Sequence, residues 1–254
     1  MRTVTVRNVE IGAGMPKICV PIVGETREEI LSQARAIRDL PADLVEWRVD
    51  YLNNVSSLSL LTVLTFLSEL RNELGDTPLL FTFRTKREGG EKSISPQAYE
   101  ELYKSIIASG LVDLIDVELF LGRDIVSRLV ERAHEHGVAV IASNHDFKKT
   151  PPKEDIIDRL DDMQELGADI AKIAVMPESP NDVEVLMDAT ATFSKYAAVP
   201  AIAMSMGELG LASRTTGERF GSTVTFGTAG KASAPGQLPA AELKEILETV
   251  HAEA

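Results

Sequence analysis

The stretch Val138-Ala-Val-Ile-Ala-Ser-Asn-His-Asp146, followed by Lys153-Glu-Asp-Ile-Ile-Asp-Arg-Leu-Asp-Asp-Met-Gln-Glu-Leu166 and then by Gly167-Ala-Asp-Ile-Ala-Lys-Ile-Ala-Val175, is one complete strand–helix–strand unit. Its two ends are short apolar runs of strand character, and its middle carries apolar residues at helical spacing. Gly137 and Gly167-Ala-Asp169 punctuate the joints. Outward from this unit the same rhythm recurs. It predicts strands over Ile18–Val23, Leu44–Asp50, Leu79–Phe83, Leu114–Leu119, Val138–Ser143, Ile170–Val175, Ala201–Met206 and Thr223–Phe226. Between them it predicts helices over Arg27–Arg38, Leu58–Leu74, Pro96–Ser109, Arg123–His136, Lys153–Leu166, Asn181–Tyr196 and Ala240–His251, with a short or irregular piece around Gly207–Phe220. Each unit averages roughly 30 residues, the size of a βαβ step, and no linker-like Pro/Gly/Ser stretch divides the chain. No Gly-rich dinucleotide turn follows Val23. The expectation is therefore a closed α/β structure, a (β/α)8 or TIM barrel, as a single domain over residues 1–254, in preference to a doubly wound sheet. The alternating segment that starts at Met1 predicts a short N-terminal hairpin turning near Gly12 to Gly14.

Composition narrows the function classes. The chain has 254 residues, and 39 acidic against 26 basic side chains leave a net charge of −13. That balance disfavours nucleic acid and anionic membrane as partners and favours a small-molecule ligand. Aromatic residues, at 5%, are too few for base-stacking platforms. No apolar run approaches the ~20 residues of a membrane span, and the N-terminal segment lacks the charged-then-apolar pattern of a secretion signal. Cys19 is the single cysteine; it lies in an apolar run, cannot form an intrachain disulfide, and reads as a small buried hydrophobe. A reducing, cytoplasmic setting is expected.

In such a barrel the functional groups gather at the C-terminal ends of the strands. Lys172 stands inside the otherwise apolar strand Ile170–Val175. Low-dielectric surroundings disfavour an ammonium and yield the neutral amine that attacks carbonyls; the plainer alternative is a lysine snorkelling to the rim. His145 is placed where the fifth strand leaves the barrel, with a ring able to exchange a proton near neutral pH. Glu46, Arg48 and Asp50, at spacing two, share one face of the second strand, opposite Trp47 and Val49. Asp116 and Glu118 repeat that spacing on the fourth. These acids could hold Arg48 and Lys172 in place or, with Glu46 and His145, chelate a divalent metal. The third strand leads into Arg84-Thr-Lys-Arg-Glu88-Gly-Gly-Glu91, either a mobile loop over the mouth or a solvated charge run. Met204 and Met206 share a face suited to core packing or to a soft wall for a carbocycle. Arg214, together with Ser233 and Gln237, lies in the loops where barrels often bind anions, and suits a carboxylate. His134 and His136 sit two apart in a last helical turn and read as capping groups.

Taken together, Glu46-Trp-Arg48-Val-Asp50, Thr82-Phe-Arg84 with Glu88-Gly-Gly-Glu91, Asn144-His-Asp-Phe147, Ala171-Lys172-Ile-Ala174, Met204-Ser-Met-Gly207, Ser213-Arg214 with Gly217-Glu-Arg-Phe-Gly221, and Ser233-Ala-Pro-Gly-Gln237 resemble the type I 3-dehydroquinate dehydratase family. The similarity runs along essentially the whole chain. It implies a (β/α)8 barrel whose bottom is closed by the N-terminal hairpin, and a cofactor-free and metal-free lyase that converts 3-dehydroquinate to 3-dehydroshikimate and water. By the same resemblance Lys172 carries a Schiff base with the ring ketone, His145 moves the protons, and Glu88 orients His145. Arg214, with Ser233 and Gln237 nearby, is implied to hold the substrate carboxylate, and Glu46, Arg48 and Arg84 the ring hydroxyls. Met204 and Met206 would pack on the ring. A homodimer and a place in the shikimate pathway of aromatic amino acid biosynthesis are implied as well. Two positions depart from the family pattern: Pro21, where a serine is frequent, and Asn144, where an aromatic residue is common.

Three other assignments compete. A class I aldolase needs the same lysine but usually anchors a phosphate. A metal-dependent sugar isomerase would use Glu46, Asp116, Glu118 and His145. An inactive ligand-binding barrel would be expected to lack a reacting group, whereas Lys172, His145 and Glu88 are all in place.

Overall fold

The computed structural model describes residues 3–53 and 59–253. Eight parallel strands form one sheet: β3 (Lys17–Ile22), β4 (Leu44–Arg48), β5 (Leu79–Thr82), β6 (Leu114–Glu118), β7 (Ala139–Asp146), β8 (Ile170–Val175), β9 (Ala201–Ser205) and β10 (Val224–Phe226). They pair in chain order, with β10 against β3. Between β9 and β10 the ladder is reduced to a bridge from Ala201 to Ser222. There the Ser222 hydroxyl accepts from the Ala203 N–H at 3.0 Å, standing in for a backbone partner and all but closing the barrel. This is the (β/α)8 architecture that the periodicity predicts.

The helices are α1 (Arg27–Ile37), α2 (Leu60–Leu74), α3 (Pro96–Ala108), α4 (Arg123–Glu135), α5 (Lys153–Glu165), α6 (Pro180–Ser194), the short α7 (Leu211–Thr215) and α8 (Ala240–Ala252). Their starts follow local chemistry: Thr26, Ser59 and Ser95 each accept a backbone N–H three residues on, and Ser179 with Asp182 forms a capping box. Gly137 (φ 70°) and Gly167 (φ 85°) follow α4 and α5 in the left-handed region that a side chain disfavours. The start expected for the second helix, Leu58, lies outside the described residues; Ser59 is the cap. The irregular piece expected near Gly207–Phe220 consists of α7 and a 3-10 turn, Gly217–Phe220.

The N-terminal hairpin pairs β1 (Val4–Val6) with β2 (Val9–Ile11). Its turn is Arg7-Asn8, with Arg7 at φ 52°, and not the glycines at 12 and 14, which link the hairpin to β3. The register Val6↔Val9 fits the burial it achieves: Val6 and Ile11 join Leu44, Leu80, Leu114, Ile141, Ile170 and Ile202 in one apolar cluster that fills the lower barrel. Arg7 ties the hairpin to Asp113, just before β6, at 2.6 Å. The outward faces, among them Trp47, Phe81 and Ile115, pack with the helices in a second core.

Two strand boundaries differ from expectation and both bear on the site. β4 ends at Arg48, and Asp50 falls in a 3-10 turn, Val49–Tyr51. β7 continues to Asp146, so His145 is held within a strand and not on an outgoing loop.

Candidate active site

Along each strand the inward positions turn from apolar to polar toward the C-terminal end: Leu44, Glu46, Arg48; Leu80, Thr82, Arg84; Leu114, Asp116, Glu118; Ile141, Ser143, His145; Ile170, Lys172. There a cavity of about 460 Å³ opens. Every residue singled out from the sequence as reacting or substrate-contacting lines it: Lys172, His145 and Glu88, then Glu46, Arg48 and Arg84, then Met204, Met206 and Arg214, and finally Ser233 and Gln237.

Lys172 is buried, but its ammonium is not alone as its strand suggested: Nζ donates to Asp116 Oδ2 at 2.9 Å and lies 4.6 Å from the centre of the Phe226 ring. Asp116 also meets Arg84 at 2.7 Å and accepts from the Ser143 hydroxyl at 2.5 Å. Burial works against its charge, yet Arg84 and Lys172 outweigh that cost and hold the carboxyl well below the usual carboxylate range. Glu118 accepts from Arg84 Nη1 at 3.1 Å and from the Thr85 N–H and hydroxyl at 2.8 and 2.7 Å. The acids on β6 thus hold Lys172 and Arg84. Arg48, expected to lean on them, is held by Asp50 through two hydrogen bonds of 2.8 Å, because the turn after β4 swings that carboxylate back over the guanidinium. Glu46 accepts from the Thr82 hydroxyl at 2.8 Å.

Glu88 faces His145 twice, accepting its backbone N–H at 2.9 Å and standing 3.1 Å from Nδ1 with the same oxygen. Burial first, then the neighbouring Glu118, push this carboxyl up to about 8, although Arg84 and the His145 N–H oppose the rise. Burial and the cations Arg84 and Lys172 push the imidazole well below its ordinary range. That direction favours the neutral ring. The segment carrying Glu88 is anchored: it forms a 3-10 turn over Lys86–Glu88, and the Glu91 N–H donates to Asp50 at 3.1 Å. A Cβ at Gly89 would come within 2.1 Å of the Phe147 ring, and one at Gly90 within 1.9 Å of the Arg84 carbonyl, so both glycines are required by close approach. Lys86 and Arg87 are solvated as a charge run would be, while Glu88 turns inward.

Arg214 differs from the other cations. It is buried, its guanidinium donates to the Pro235 carbonyl at 3.0 Å and to Met204 Sδ at 3.6 Å, and its Nε has no partner. Among the described residues no carboxylate pairs with it, and burial alone lowers it to about 10. Ser233 and Gln237 brace each other beside it, with the Gln237 amide donating to the Ser233 hydroxyl at 3.0 Å. Outside the cavity, His134 bonds Asp169 at 2.9 Å and His136 the Arg132 carbonyl at 3.0 Å.

Thr82, Ser143, Phe147 and Phe226 were not singled out by sequence reasoning. Thr82 and Ser143 stand two residues before Arg84 and His145, so the same strand alternation that placed those groups could have found them.

Fold and cavity define a (β/α)8-barrel enzyme whose site combines a buried lysine, an imidazole on a carboxyl, and a guanidinium that no carboxylate of the described residues meets. The sequence profile of type I 3-dehydroquinase matches residues 18–254. The 3-dehydroquinate dehydratase of Syntrophotalea carbinolica is 51% identical over 252 residues, 99% of either chain. The type I 3-dehydroquinate dehydratase of Clostridium difficile, solved with covalently modified comenic acid, superposes with a TM-score of 0.96 at 51% identity, covering 100% of this chain and 99% of its own. The 3-dehydroquinate dehydratase of Geobacillus kaustophilus gives 0.95 at 38% identity, covering 100% and 98%. The chain belongs to the type I 3-dehydroquinase family and is an enzyme with 3-dehydroquinate dehydratase activity.

Proposed function

We propose that the dehydration proceeds through a Schiff base on Lys172. The Nζ lone pair, once its proton has passed to a base in the cavity, adds to the ring ketone, and loss of water leaves a protonated imine. His145 removes the neighbouring C2 proton, and the electron pair moves onto the imine nitrogen as an enamine. The pair then returns to expel the ring hydroxyl, which His145 protonates so that it leaves as water. Hydrolysis of the conjugated imine releases 3-dehydroshikimate and restores the amine. Once ionised, Glu88 fixes the imidazole by its Nδ1 side and stabilises its charged form, as a triad carboxylate does.

The observation that carries this reading is Arg214. Arg48, Arg84 and Lys172 each meet an acid of the chain, whereas this buried guanidinium meets none among the described residues and faces the same cavity as Lys172. A substrate carboxylate supplies the missing partner. Ser233 and Gln237 sit beside that carboxylate, Glu46, Arg48 and Arg84 reach the ring hydroxyls, and Met204 and Met206 pack against the ring. A phosphate-anchoring aldolase has less support, because one guanidinium beside a Ser–Gln pair matches a planar carboxylate. A metal-dependent isomerase has less support too, because Asp116 and Glu118 are engaged by Lys172, Arg84 and Thr85. Among the described residues no three His, Cys, Asp or Glu are grouped to hold a metal ion.

The test is borohydride reduction of chelator-treated enzyme turning over 3-dehydroquinate. The peptide bearing Lys172 is expected to gain the mass of the reduced carbocycle. Product formation with an unmodified polypeptide overturns the proposal. The wider setting proposed is a cytoplasmic homodimer, one catalytic domain per chain, serving the shikimate pathway and aromatic amino acid biosynthesis. Quinate breakdown is the competing role, and the genes beside this one distinguish the two.

A further inference from the structure

We infer that Asn144, oriented by Arg159, is a positioning residue for Glu88 and, through it, for His145. The inference rests on the proton-transfer role just proposed for His145. Asn144 precedes that histidine on β7, so its side chain leaves the opposite side of the strand; it is 2% exposed. Its Oδ1 accepts from Arg159 Nη1, on α5, at 2.7 Å. A guanidinium only donates, so the amide has one orientation here, with the NH2 group directed away from Arg159. That group lies 3.4 Å from Glu88 Oε1. Among the described residues it is the only donor to this oxygen, since both contacts from His145 fall on Oε2. Arg159 is itself held, 3.8 Å from Asp146 Oδ2 and 5.5 Å from the centre of the Phe120 ring. A line of contacts therefore runs from helix α5 through β7 to the turn that carries Glu88.

The chemistry of this contact is directional. A donor on Oε1 favours the ionised carboxyl, whereas burial and Glu118 favour the protonated one. Ionised Glu88 accepts the Nδ1 proton, and the lone pair of the imidazole then sits on Nε2, the outer nitrogen that a base needs free. With Asn144 unable to donate, Glu88 keeps its proton to higher pH and the base is in the wrong tautomer for more of the time. The groups facing the pair are Arg84, Glu118 and Asp116 around Glu88, and Arg84, Lys172, Asp116 and Arg48 around His145. None of them changes in the variants below.

Asn144→Asp keeps the shape and replaces the donor by an acceptor; Asn144→Leu removes both functions. Each is expected to lower kcat about tenfold, with KM changed less than about twofold, and to move the ascending limb of the kcat–pH profile upward by roughly one unit. Arg159→Met, which frees the amide to rotate, is expected to shift the same limb less, and the Asn144→Leu/Arg159→Met pair to lose less than the product of the two single losses. If Asn144→Leu does not fold, the Arg159→Met profile decides. Borohydride trapping separates the two levels of the argument. No Lys172 adduct in the unsubstituted enzyme refutes the covalent mechanism. Adduct in every protein, with kcat and the pH limb unmoved in the folded variants, refutes the role of Asn144.

Discussion

The two halves of the barrel interior are built on the same strands and obey opposite rules. Below, Leu44, Leu80, Leu114, Ile141, Ile170 and Ile202 pack against Val6 and Ile11 of the hairpin without a charged group in the cluster. Two residues further along each strand stand Glu46, Thr82, Asp116, Ser143, Lys172 and Met204, most of them polar and all of them buried. Removing a charge from water costs several kcal/mol even after relaxation. The upper half offsets that cost by pairing: Arg48 with Asp50, Arg84 with Asp116 and Glu118, Lys172 with Asp116. Among the described residues Arg214 alone of these cations meets no acid, and burial pushes the Glu88 carboxyl up. The lower half holds the barrel together so that the upper half can keep groups in states that water would not allow.

Substitutions in the two halves should therefore fail in different currencies. Lys172→Ala, in the upper half, is expected to abolish dehydration, and His145→Ala to lower it on the order of 10²- to 10⁴-fold while a trapped adduct accumulates; steady-state rates and mass spectrometry check both. A Lys172→Ala protein turning over at the wild-type rate would refute the covalent route. Asp116→Asn removes the shared partner of Arg84 and Lys172, so both rate and stability are expected to fall, the latter by about 3 kcal/mol in a urea titration. Leu114→Ala, one turn of the strand pleat below, is expected to lose a similar ~3 kcal/mol through its cavity and to leave kcat within about twofold. A large fall in kcat there would break the division between the halves.

A pH-dependent effect sharpens the comparison most. Burial raises the Glu88 carboxyl from 4.5 to about 8 in the folded chain, so the folded state holds a proton that the unfolded chain has already lost above pH 4.5. Its contribution to stability is fully present below pH 4.5 and is lost as pH rises toward 8. Glu88→Gln has no such proton. Its thermal midpoint is expected to match the wild type near pH 4 and to exceed it at pH 8 by the equivalent of roughly 4 kcal/mol, while its dehydration rate is lower. Equal midpoints across that range would show that Glu88 is not held protonated by its surroundings.

How much of this was legible depends on the distance over which each feature is decided. Strand and helix order followed from spacing within each segment, and so did the shared face of Glu46 and Arg48. The hairpin turn was not legible: Gly12 and Gly14 carry the stronger local turn signal, but burying Val6 and Ile11 against the barrel floor selects Arg7-Asn8. The partner of Lys172 lies 56 residues away on β6 and that of Arg48 only two residues on, and strand spacing cannot tell these cases apart. Nor does composition separate Glu88, turned inward, from Lys86 and Arg87 beside it in the same charged run.

The amino-acid sequence by itself determined the barrel and the strands that carry its polar side chains, because hydrophobic period and strand alternation are properties of neighbouring residues. Only the tertiary structure decided which charges cancel and which one is left open. All of those pairings but Arg48–Asp50 form between segments far apart in the chain, and the low dielectric that gives them their strength exists only after the barrel has closed around them.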